Sequence, residues 1–132
     1  MIDHVSIGTH HYDDAVVFFS RVLAPMGLTL QRDTGQEAAF GKGGQWMFFL
    51  YPVPPDEPVT AKGTHVAFGA TSRRMVADIH ATALAASAND IFTPRTRPDI
   101  SPTYFGAMFN DLDGHRIEVK TDAPPEGEAS AS

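Results

Sequence analysis

Two histidines and one glutamate are the residues of this chain best suited to chemistry. His4 stands near the start of DHVSIGT, Asp3 to Thr9, and His65 stands 61 positions later in THVAFGA, Thr64 to Ala70. Val5 matches Val66, Ile7 matches Phe68 and Gly8 matches Gly69. Both stretches alternate as a half-buried strand does. The branched and aromatic residues then face one way, and each histidine shares the other face with small neighbours: Ser6 and Gly8, Ala67 and Gly69. In RIEVK, Arg116 to Lys120, Ile117 and Val119 are the apolar pair and Glu118 takes the opposite face. Two imidazoles and a carboxylate on a concave surface would make an open site for one divalent ion such as Mn²⁺, Fe²⁺, Zn²⁺ or Ni²⁺. Coordination positions would remain for water or substrate, as catalysis needs. Taken singly, a strand histidine is more often a structural residue, and RIEVK is the pattern of any half-exposed strand. The repeat carries the argument, because it gives both histidines the same place in two modules.

Positioning these residues takes two similar runs of elements. After the first strand, Ala15, Phe18, Phe19, Val22 and Leu23 form a helical stripe, with Asp13 and Asp14 at the end where negative charge is favoured. Pro25 and Gly27 end that helix. Strands are expected at Leu28 to Arg32, Glu37 to Gly41 and Trp46 to Tyr51, with GKGG at Gly41 to Gly44 as a hairpin turn, not a phosphate loop, since it leads into a strand. The proline-rich PVPPDEP links the halves within residues 52–63. The order then restarts with a strand at Thr64 to Ala70, followed by a helix capped by Ser72 with Met75, Val76, Ile79, Ala83 and Leu84 as its stripe. Strands follow at Asn89 to Thr93, Tyr104 to Asn110 and His115 to Thr121, with a loop at Arg95 to Pro102. Leu23 and Ala24 recur as Leu84 and Ala85 at the same offset. Each half reads strand–helix–strand–strand–strand, an α+β chain of paired βαβββ modules at about 1–51 and 64–121 in a single domain, 1–121. The tail 122–132 is expected to be disordered. His10, His11, His80 and His115 read as surface residues.

The bulk numbers bound the rest. The chain has 132 residues, 42% hydrophobic and 20% charged, with a formal net charge of −6. No basic stripe exists to replace the counterions of a nucleic acid, so none is expected as partner. The absence of cysteine excludes disulfides and thiolate chemistry and permits a reducing cytoplasm. The longest apolar run, WMFFLY, is too short to cross a bilayer, and MIDHVSIG lacks the pattern of a signal peptide. A cytoplasmic protein acting on a small molecule is expected.

DHVSIG, the helix AVVFFSRVLAPMG, THVAFGA and the closing FNDLDGHRIEV resemble the vicinal oxygen chelate superfamily over roughly Met1 to Thr121. This superfamily includes glyoxalase I, extradiol dioxygenases, and the fosfomycin- and bleomycin-resistance proteins. The resemblance implies a cupped mixed sheet around a metal held by His4, His65 and Glu118, with Glu118 at the catalytic centre. Leu112 stands where the superfamily's closing motif usually has proline. Setting Gly44 against Gly114 puts Phe48 opposite Glu118, where glyoxalase I completes its ligand set and a phenyl ring cannot. Met108 replaces the tyrosine of the dioxygenases, and TPRTRPDISP replaces the lysine- and serine-rich loop of the fosfomycin transferases. Arg95 and Arg97 in that segment would suit an anionic substrate. The expectation is a metal-dependent, glyoxalase-like enzyme whose pocket uses Trp46, Phe48, Tyr104 and Arg95. Its metal would act as a Lewis acid, stabilising an enolate or oxyanion. The competing reading is a metal-free binding or sequestering protein. Members of the superfamily commonly dimerise, so a homodimer is expected.

Overall fold

The computed structural model describes residues 1–127; the end of the expected disordered tail, 128–132, lies outside the described residues. The chain forms two compact units. The first comprises Met1–Thr64 together with Leu112–His115, the second His65–Asp111 and Arg116 onward.

In the first unit, strand β1 (Val5–Thr9) leads to helix α1 (Tyr12–Val22), and a short 3₁₀ turn at Ala24–Met26 leads to β2 (Thr29–Asp33), β3 (Ala38–Lys42) and β4 (Gln45–Pro52). The sheet order is β1-β4-β3-β2, with β4 parallel to β1 and antiparallel to β3. Helix α1 forms where apolar residues fall three and four apart, and it buries Ala15, Phe18, Phe19 and Val22. Gly27, at φ 75°, closes the turn after it in the left-handed conformation that a side chain disfavours. The helix packs on one face of the sheet, where the Phe19 ring lies 4.9 Å from that of Phe48. Phe40, Phe48 and Leu50 complete this fully buried layer.

The second unit repeats the plan. It contains β5 (His65–Gly69), α2 (Arg73–Ala85), β6 (Asn89–Thr96), β7 (Phe105–Asn110) and β8 (Arg116–Thr121), in sheet order β5-β8-β7-β6. Ser72 caps α2, its hydroxyl accepting from the Met75 amide at 3.0 Å. Val76, Ile79 and Ala83 of the helix are buried, as are Ala107, Phe109, Ile117 and Val119 of β7 and β8. Strand β6 runs through Pro94 to Thr96, past the expected start of a loop at Arg95. It is an edge strand with two register shifts, a setting that tolerates a missing amide donor. Part of the expected disordered tail is held on α2: Arg73 Nε donates to Ala123 O at 3.2 Å and Glu126 accepts from the Arg74 amide at 2.8 Å. Among the described residues, no helix is long and apolar enough to cross a membrane.

Candidate metal centre

The open face of the second sheet brings together two of the three expected ligands. Parallel pairing sets Ala67 of β5 beside Glu118 of β8. His65, two residues earlier on the same face, then places Nε2 3.3 Å from Glu118 Oε1. The His65 side chain is 44% exposed and that of Glu118 13%, so the imidazole opens to solvent while the carboxylate is drawn in. The other carboxylate oxygen, Oε2, accepts from the Tyr104 hydroxyl at 2.8 Å. Tyr104 is buried, and burial first, then its bond to Glu118, pushes the phenol pKa well above its ordinary value. The phenol therefore stays a donor at any ordinary pH. Two cations border this face, each already neutralised by an aspartate. Lys120 Nζ lies 5.7 Å from the Tyr104 ring centre and 2.7 Å from Asp122. Arg97 grips Asp99 with two bonds of 2.9 and 2.7 Å, which, with smaller help from Tyr104 and Glu118, raises the guanidinium pKa.

His4 belongs to the first unit, exposed, with its Nδ1 2.8 Å from Asp3 Oδ1. With Nδ1 turned to that carboxylate, Nε2 is the ring nitrogen left to serve as a ligand. The His4 ring lies 5.1 Å from that of Phe49, which in turn stacks on Tyr51 at 6.3 Å and meets Trp46 edge-on at 6.3 Å. Trp46 joins this face because the pairing shifts after Phe40, leaving Met47 as a bulge. Arg32 covers the indole at 5.8 Å.

The strand register corrects one expectation. Ser6 pairs with Phe49 as Ala67 pairs with Glu118, so Phe49, not Phe48, occupies the position equivalent to the glutamate. Phe48 pairs with Val5, as Ile117 pairs with Val66, and lies 1% exposed in the layer under α1, not on the open face. Aligning the turn glycines misled by one residue. Strand β4 begins immediately after Gly44, whereas His115 intervenes between Gly114 and β8.

The remaining candidates divide. Arg95 is exposed, donates to its neighbour Thr93 at 3.0 and 3.1 Å, and lies over Phe92 at 5.4 Å. Two histidines read as surface residues are buried. His80, 5% exposed, places Nε2 2.8 Å from Asp90 Oδ1, its ring edge-on to Phe109. His115, 7% exposed, holds Gly8 O at 2.7 Å. Asp111, Asp113 and His115 also offer one ligand atom each within 4.8 Å of one another, a spacing that could hold a metal ion. Sequence reasoning missed this group, though DLDGH spells it out. Two of its members have other work: Asp113 takes the Thr9 hydroxyl at 2.5 Å and the His10 amide at 2.8 Å. Its charge thereby sits beside the start of α1, where a helix favours an anion.

Comparison with known proteins fits this architecture. Residues 1–119 match the family model of the Glyoxalase/Bleomycin resistance protein/Dioxygenase superfamily. A search of curated proteins found no match. Among solved structures, a glyoxalase/bleomycin resistance protein from Albidiferax ferrireducens T118 is similar at TM-score 0.81 and 20% identity, over 92% of this chain and 98% of that one. A putative glyoxalase from Bacillus halodurans is similar at TM-score 0.72 and 16% identity, over 92% and 95%. A mutant of the fosfomycin resistance protein FosX from Listeria monocytogenes, complexed with Mn(II) and 1S,2S-dihydroxypropylphosphonic acid, is similar at TM-score 0.66 and 16% identity, over 90% and 87%. Two four-stranded mixed sheets, each with a helix, and a family match over nearly the whole described chain lead to one conclusion: the protein belongs to the glyoxalase/bleomycin resistance protein/dioxygenase superfamily.

Proposed function

We propose that this protein is a metal-dependent enzyme of its superfamily, acting on a small substrate that offers two neighbouring oxygens. The observation that carries the reading is the His65–Glu118 pair, an imidazole nitrogen and a carboxylate oxygen 3.3 Å apart on an open sheet face. A neutral imidazole and a carboxylate suit a divalent first-row ion such as Mn²⁺, Fe²⁺, Zn²⁺ or Ni²⁺. The repeat nominates His4 as third ligand, since it holds in its module the place of His65, and its Nδ1 already meets the Asp3 carboxylate. The FosX relative, which carries Mn(II), supports the choice of ion. Bound there, the metal would supply Lewis acidity, polarising a substrate oxygen and stabilising the anion formed from it. The chain's own residues would do the rest. Glu118 would hold the ion at the reaction centre, Trp46 would offer an apolar wall, and Arg95, exposed beside Thr93, would offer a positive charge for an anionic group.

The test is metal uptake by the full chain as a homodimer, the assembly we expect. Wild type should bind about one divalent ion per chain, and His65→Ala and Glu118→Gln should each lose it, since two remaining ligands rarely hold an ion against buffer. Loss on Asp111→Asn with His65→Ala unaffected would move the ion to the DLDGH turn. Uptake of no ion would favour a second reading, metal-free binding of a flat ligand, for which the His4–Phe49–Tyr51–Trp46 face is the supporting observation.

A further inference from the structure

We infer that Tyr104 is the positioning residue for Glu118, pinning one carboxylate oxygen so that the glutamate meets a metal through the other alone. The inference rests on the metal reading above. Its starting point is the division of labour at the carboxylate: Oε2 accepts from the phenol at 2.8 Å while Oε1 faces His65 Nε2 at 3.3 Å. A carboxylate with both oxygens unoccupied can take a divalent ion through one or both. One whose far oxygen is held by a donor is committed to a single bond and a single direction.

The path of the phenol is built into β7. Met108 pairs with Glu118 and Gly106 with Lys120, so Gly106, Met108 and Glu118 share one sheet face. Tyr104 stands just before the strand, four residues from Met108, about 13 Å along an extended chain. To reach Glu118 its side chain must lie flat over the intervening residue. That residue is Gly106, and a Cβ there would stand 2.7 Å from Tyr104 Cζ and 2.9 Å from the Val119 carbonyl oxygen, closer than real Cβ contacts. The glycine is thus needed for passage and not for an unusual backbone angle. Tyr104 is 2% exposed, so the phenol has no room to swing away and the hydrogen bond is held in place by packing. A tyrosine that merely walled a substrate pocket would need neither a glycine track nor a carboxylate at its end.

The experiment is Mn²⁺ titration and Co²⁺ absorption spectroscopy on the full chain, comparing wild type, Tyr104→Phe and Gly106→Ala. Outer-shell partners of metal ligands are typically worth about 10–100-fold in affinity. Tyr104→Phe keeps the ring and should weaken Mn²⁺ binding about tenfold. It should also lower the intensity of the Co²⁺ visible bands, as the released carboxylate turns to bind through both oxygens and raises the coordination number. Gly106→Ala should reproduce that spectral change with the phenol still present, and it stands in should Tyr104→Phe fail to fold. A purely structural role would lower the melting temperature and leave the spectrum alone. Wild-type affinity and spectrum in both variants would overturn the inference while the metal reading stood. A wild-type chain taking up neither ion would overturn the reading, and the inference with it.

Discussion

Glutamate substituted at two adjacent positions, 48 and 49, should give opposite results, and the contrast tests the register on which the equivalence of the two sheets depends. Phe48 is 1% exposed and packs 4.9 Å from the Phe19 ring and 6.2 Å from that of Phe40. Removing a buried phenyl group costs about 3–5 kcal/mol. Phe48→Glu also leaves a carboxyl group in an apolar layer, a further cost of several kcal/mol even if it stays protonated, at least about 2. The sum is comparable with the whole stability of a domain, about 5–15 kcal/mol. Phe48→Glu should therefore be largely unfolded or insoluble. Phe49 is half-buried on the open face, touching His4, Trp46 and Tyr51. Phe49→Glu gives up ring contacts worth about 0.5–1.5 kcal/mol each, and its charge can reach water. It should stay folded, losing about 2–4 kcal/mol on the same basis. Urea unfolding followed by circular dichroism measures both. A stably folded Phe48→Glu, or a Phe49→Glu that unfolds as readily, would refute the register and the equivalence of Phe49 with Glu118.

Ser72→Ala removes the acceptor for the Met75 amide and should cost about 1 kcal/mol, read as a lower urea midpoint at unchanged slope. Asp90→Ala leaves the buried His80 imidazole without its carboxylate and should cost about 1–3 kcal/mol, with Phe109 resonances the most disturbed in the NMR spectrum. Burial, then the hydrogen bond to Asp33, raises the Tyr12 phenol to about 12. Its folded pKa lies above the unfolded value near 10, so its stabilising share is complete below about pH 10 and is lost as pH climbs through 12. Urea midpoints at pH 9 and pH 11.5 should fall further in wild type than in Tyr12→Phe.

The pattern of elements was legible because both halves use periodicities that survive in sequence. Phe18, Phe19 and Val22 repeat at helical spacing, and Val5/Ile7 and Ile117/Val119 alternate at strand spacing. What periodicity cannot supply is the exact length of a turn. One residue, His115, moved the apparent partner of Glu118 from Phe49 to Phe48, because a strand reverses its faces with every step. Side chains that pair across long sequence distances were equally hidden. His115 looked like a turn residue until its acceptor, Gly8 O, 107 positions away, was in view. His80 sat at the edge of its helical stripe, and Asp90 on the neighbouring strand made its burial tolerable. The ligand types of the candidate site could be read from alternation, whereas the Tyr104–Gly106 track depends on a side chain lying along a strand, which no residue pattern announces.

The grouping of Leu112–His115 with the first unit bears on whether the two halves can be parted. A repeated module is separable only if each half supplies the partners of its own polar groups. Here the first half borrows from far along the polypeptide the groups that hold the Thr9 hydroxyl, the His10 amide and the Gly8 carbonyl. Its own equivalent turn, at Gly43 and Gly44, offers only glycine. A fragment cut at the proline-rich connector would release the first half with those three groups deprived of their partners, just where β1 hands over to α1. The repeat is therefore visible in the sequence without being separable, and halves produced apart should regain full stability only when mixed.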